Sequence, residues 1–162
     1  MENKRNNRIK TNLHIYNAPI CKSCPARIYQ KETDVITYGQ GSIYPDIMIV
    51  LPKSALWNDK IHRYLDMVCE NLINLDEQYI TYHPKCNAGD LIEDYDEKCN
   101  LYLLHEINKR NPKKIIFFGA NIPKQLFNFH NNIKIYKFKD LFSIHFGKDT
   151  VSQFKEQLKK IL

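Results

Sequence analysis

No apolar run in the 162 residues reaches the roughly 18 needed to cross a bilayer, and the opening MENKRNNRIKTN holds no apolar stretch of the kind that begins a secretory leader. Both absences predict an intracellular, cytoplasmic protein. Internal repeats, low-complexity tracts and linkers are missing too, so a single folded unit is expected. Residues 1–12 read as a basic tail and 13–162 as one domain, a length that buries a real core but is too short for two ordinary domains. In a reducing compartment the five cysteines are not expected to build a disulfide frame, which leaves metal binding or thiol chemistry.

Hydrophobic residues at 43% and charged residues at 26% exclude a chain disordered throughout. The formal charge of +6 and a pI of about 9.0 give a modest basic excess. Such an excess fits attraction to a polyanion such as nucleic acid, although a coding bias toward Lys, Asn and Ile produces the same excess.

The run IMIVL at 47–51, bounded by Asp46 and Pro52, suits a strand covered on both faces, and KIIFF at 114–118 before Gly119 repeats the pattern. YITY at 79–82 is a third strand, and 133–138 with 141–146 supply one or two more. Helical text lies between them at 59–75, 95–110, 123–129 and 150–162. In the last, Val151, Phe154, Leu158, Ile161 and Leu162 share one face, with lysines opposite. Alternating strands and helices predict a three-layer α/β/α sandwich around a mostly parallel, four-stranded sheet. Ligands of such sheets sit beyond the carboxyl ends of the strands, which draws 51–56, 82–90, 119–122 and the surroundings of His145 to one rim.

Cys69, inside helical text, reads as a small buried hydrophobe. The other four stand at loop or element ends. Cys21 and Cys24 form a C-x-x-C, which alone fits a redox pair, half a zinc site or chance. Cys86 follows after 61 intervening residues, at the end of YITYHPKC, and Cys99 after 12 more, near a helix start. Four soft thiolates suit tetrahedral zinc or an iron–sulfur cluster, and spacing does not choose between them.

The order C-x-x-C, VITYGQGSIYPDIMIV, YITYHPKC, a fourth cysteine opening a helix, then PKKIIFFGA resembles the iron–sulfur branch of the uracil-DNA glycosylase superfamily, the family 4 enzymes and their relatives. The resemblance runs from Cys21 to the C-terminus, and its specific part is the four-cysteine register with Lys-Cys closing the YIT strand. It implies the α/β/α sandwich and a 4Fe–4S cluster, with zinc as the alternative, held by Cys21, Cys24, Cys86 and Cys99. The cluster would act chiefly as a staple between distant segments.

The pocket elements of that family are altered. Where it carries G-E-x-P-G after the first strand, this chain has Leu51, Pro52, Lys53, Ser54 and Ala55, without a carboxylate to place water and with a proline that lacks a donor. The stretch bearing the base-stacking aromatic is shortened to ALWNDKIHRYL, where only Trp57 remains. Tyr82 stands where the family's Asn reads the uracil edge; a phenol cannot copy a two-point amide contact and takes up the volume of a base. The catalytic His is matched by His145, but Phe146 replaces the following Pro. His83 has no counterpart in the family text.

Each lost contributor costs on the order of 10² to 10³ in rate, so ordinary uracil excision is not expected. The resemblance then implies a DNA-binding accessory subunit in replication or repair, of a phage or mobile element, with a DNA polymerase as protein partner. Lys53, Lys85, Lys113 and Lys114, flanking strand ends, are its expected phosphate contacts. The alternative is an active glycosylase of altered specificity, in which His145 stabilises the leaving base and Tyr82, His83 or Asp90 reads it or places water. A third reading is a zinc-stabilised interaction module without a nucleic-acid role.

Overall fold

The computed structural model describes residues 12–14, 24, 35–56, 58–86, 97–129 and 132–162. An antiparallel ribbon joins β1 (Asn12–His14) to β2 (Val35–Thr37). The main sheet contains β3 (Gln40–Gly41), β4 (Ile47–Pro52), β5 (Tyr79–His83), β6 (Lys114–Phe118) and β7 (Lys134–Phe138), in the order β3-β5-β4-β6-β7. Four strands are parallel, while β3 pairs antiparallel with β5. The sheet is therefore mixed and five-stranded, not a sheet of four strands. The added strand has only two residues, too few for an alternating pattern, and rests on Gly41 at φ +128, where a Cβ would come within 1.9 Å of the Gln78 carbonyl oxygen.

Three helices of nine residues or more occur among the described residues: α1 (Asp59–Cys69), α2 (Asn100–Arg110) and, after the single turn α3 (Leu126–Phe129), α4 (Val151–Lys159). None is long and apolar enough to cross a membrane. The helix expected to reach residue 75 stops at Cys69, and Asn71 then adopts a left-handed φ of 63. The segment expected as a strand at 141–146 is a 3-10 turn over Leu141–Ile144, because the Asp140 side chain accepts from Phe142 N at 2.8 Å and curls the chain. Asn12, assigned to the tail, opens β1.

Alternation along β4 sends Ile47, Ile49 and Leu51 to one face, where they meet Ile61, Leu65 and Val68 of α1 and Phe154 and Leu158 of α4. Met48 and Val50 face the other way, onto Leu103, Leu104 and Ile107 of α2. Each wholly buried Leu or Phe contributes about 1.5–3 kcal/mol, so the two clusters set both the register and the helix positions. Cys69 is 1% exposed on the inner face of α1, as a small hydrophobe.

Candidate functional site

Parallel pairing puts the carboxyl ends of β4, β5, β6 and β7 at one end of the sheet, with Pro52 in register with His83. There the chain leaves β4 through a 3-10 turn, Lys53–Leu56, and enters α1 behind the Asn58 cap, whose side chain accepts from Lys60 N at 3.1 Å. Tyr82 lies beneath this loop, 4% exposed, in the cluster that includes Ala55 and Leu51. The His62 ring meets it edge-on at 5.9 Å, and His62 Nε2 lies 2.9 Å from the Ala55 carbonyl oxygen. Burial pushes the Tyr82 phenol up to about 12, so it stays neutral.

His83 is sealed as well, at 1% exposure. Its burial and then the Lys85 charge hold its pKa down at about 3, against a smaller opposing hydrogen bond with Asn100. The ring is therefore neutral at physiological pH. Among the described pocket residues Lys53, Tyr82 and His83 are buried, Pro52 is half-buried and His145 is exposed. Its Nδ1 lies 3.3 Å from the Tyr64 hydroxyl, and its ring stacks on Phe142 at 4.9 Å. Trp57 and Asp90 fall outside the described residues. Cavities of about 490 Å³, between Gly41 and Gln78, and about 460 Å³, beside Asp66 and Asn74, do not touch Tyr82, His83 or His145.

The four expected phosphate-binding lysines do not form one surface. Lys113 and Lys114 stand at the amino end of β6, away from the rim. Lys113 pairs with Asp46 at 2.8 Å, and Lys114 Nζ donates to the carbonyls of Ile161 and Leu162 at 2.7 and 3.1 Å. Lys53 is at the rim but 7% exposed. Lys85 is an interior residue, with no surface to offer a phosphate, and its position corrects that expectation. The exposed cations on the rim side are others: Lys60 and Arg63 on α1, Lys124 after β6, and Lys139 and Lys148 after β7.

Lys85 belongs to a buried network that the sequence does not announce. Its ammonium donates to Glu106 Oε2 and to Thr81 Oγ1. Glu106 Oε2 also accepts from Thr81 Oγ1 at 2.7 Å, and Oε1 accepts from Gly39 N at 2.8 Å and the Tyr79 hydroxyl at 3.0 Å. Arg110 covers the Tyr79 ring at 4.6 Å. Burial lowers the Lys85 pKa from its ordinary value, and the negative charges of Glu106 and Cys99 oppose the shift. One signal was available: Glu106 shares helical spacing with Leu103, Ile107 and Arg110, so a carboxylate sits on the apolar stripe of α2.

Three of the four expected thiol ligands lie among the described residues. Cys86 is buried, pairs with Ile36 of β2 in an antiparallel bridge, and packs with Tyr38 and Tyr102. Cys99 is buried one turn ahead of Tyr102 and close enough to Lys85 for its charge to act there. Cys24 is partly exposed, and Cys21 lies outside the described residues. Among the described residues no group of three or more His, Cys, Asp or Glu side chains is arranged around a common metal position. No protein-family model matches the chain, and neither does any curated protein.

Proposed function

We propose that the chain is a DNA-binding protein of the uracil-DNA glycosylase type, a three-layer α/β/α sandwich that does not excise uracil and serves as an accessory subunit in replication or repair, of a phage or mobile element, with a DNA polymerase as protein partner. The burial of Tyr82 carries this reading. A flipped base needs a vacant, snug pocket with partners for its edge, and on this reading the buried phenol at the end of β5, packed with Ala55 and His62, takes up that volume. The helices on both sheet faces and the basic charge of +6 support the architecture and the polyanionic partner.

Cys86 and Cys99 suit a 4Fe–4S cluster in donor type and burial, and with Cys21 and Cys24 they would hold it. When bound, the cluster supplies a covalent tie between the N-terminal segment, the end of β5 and the start of α2. Zinc would make the same tie through the same thiolates.

Full-length protein is incubated with oligonucleotides bearing uracil, hypoxanthine, xanthine or modified cytosines and treated with alkali, and DNA retention is followed across salt concentration. No scission with salt-sensitive retention is expected, since each phosphate contact adds about 0.9 to the slope of log affinity against log salt. Scission that disappears in His145→Ala establishes the altered-specificity glycosylase instead. Absence of retention at every salt concentration rejects DNA as partner.

A further inference from the structure

After β7 the chain makes a closed loop that holds an aromatic side chain out in water. Phe146 is 64% exposed. Its ring stands perpendicular to Phe142 at 5.1 Å and is tilted against His145 at 5.4 Å, while His145 lies flat on Phe142. Backbone bonds from His145 N to Phe142 O at 3.0 Å, Gly147 N to Ile144 O and Lys148 N to Ser143 O, both at 3.1 Å, close the turn on itself. Lys139 and Asp149 pair at 2.9 Å across its base.

The three rings thus pack on one another within a loop closed by its own backbone hydrogen bonds, and Phe146 keeps most of its surface exposed. Lys148 stands beside them, its Nζ 6.0 Å from the Phe146 ring centre, and no ion pair claims it among the described residues. A flat apolar surface next to a cation matches a flat base on an anionic backbone. An apolar groove on a protein would match the ring but not the lysine.

We propose that the Phe142–His145–Phe146 cluster is a stacking platform for an unpaired base of single-stranded DNA, with Lys148 on the adjoining phosphate. This rests on the DNA-binding reading above and assigns its contact surface to the loop after β7, not to the sealed ground around Tyr82. Stacking needs only a base face, so the platform tolerates any base and needs no pocket.

Fluorescence anisotropy of the full-length chain with a labelled oligothymidine, and with an abasic oligomer of equal length, tests it. Phe146→Ala is expected to weaken oligothymidine binding about tenfold and leave the abasic oligomer unchanged, whereas Phe146→Trp keeps or improves the affinity. Lys148→Ala is expected to weaken both oligomers and lower the salt slope by about one. Unchanged oligothymidine affinity in Phe146→Ala overturns the platform, as does an equal loss on both oligomers. If the wild-type chain binds neither oligomer nor duplex, the DNA-binding reading falls as well; if it binds and only the Phe146 effect is missing, the platform alone falls.

Discussion

Replacing Glu106 by Ala removes one carboxylate and strands four donors at once. The Lys85 ammonium is fully buried, and Gly39 N, the Tyr79 hydroxyl and the Thr81 hydroxyl share the same acceptor. Breaking a buried pair from one side costs about 3–5 kcal/mol, because a charge is left without compensation. A neutral buried donor left bare costs about 1–3 kcal/mol, though the vacated space lets water reach some of them. About 4 kcal/mol is a large share of the 5–15 kcal/mol that holds a domain of this kind together. Urea unfolding of Glu106→Ala measures the loss, and Glu106→Gln, Lys85→Met and the pair Lys85→Met/Glu106→Gln close the cycle that measures the coupling. The double variant is expected to be more stable than the sum of single losses implies, with a coupling of about 1–3 kcal/mol, since it removes both charges and keeps an acceptor. A loss under about 1 kcal/mol for Glu106→Ala, or a coupling within about 0.5 kcal/mol of zero, would refute the buried pair.

Acid should act through His83. Its folded pKa of about 3 lies below the ordinary 6.5, so between these values the unfolded chain takes up a proton that the folded chain refuses. Its contribution is complete above pH 6.5 and is lost at up to about 1.4 kcal/mol per pH unit on the way down toward 3. Denaturant titrations from neutral pH to pH 4 should show a shallower decline for His83→Asn than for wild type; parallel declines would contradict the sealed ring. Thr150→Ala should cost about 1 kcal/mol in a thermal melt, because Thr150 Oγ1 accepts from Gln153 N and Gln153 Oε1 accepts from Thr150 N at the start of α4. Gly119→Ala should destabilise the fold by more than 1 kcal/mol, since Gly119 sits at φ +73 and a Cβ there would lie 2.8 Å from Asp140 Cα. Near-neutral stability would mean that β6 and the loop after β7 are not packed as described.

Strands β4 and β6 are legible because central parallel strands are covered on both faces and read as unbroken apolar runs. The apolar stripe of α4 is legible for the same kind of reason, with Phe154 and Leu158 buried at helical spacing. What escapes is short or long-range. The two residues of β3 and the three-residue strands of the ribbon carry no periodicity. Residues 141–146 are apolar enough for a strand, and only the Asp140 cap makes a 3-10 turn of them. Lys85 looks like any lysine beside a strand end, since its partner Glu106 lies 21 residues away on another element. Tyr82 is a bulky ring in the sequence and a buried one in the structure, whereas the exposure of Phe146 depends on how the loop closes.

The proposed family relationship, and the cluster proposed with it, require thiols from three separate segments to share one inorganic centre. Anaerobic purification of the full chain, with a visible spectrum and iron, sulfide and zinc analysis, examines this directly. A brown protein with about four irons per chain, whose colour and iron are lost in Cys86→Ser and in Cys99→Ser, is the predicted result. A colourless, metal-free protein, or one whose iron survives both substitutions, would contradict it.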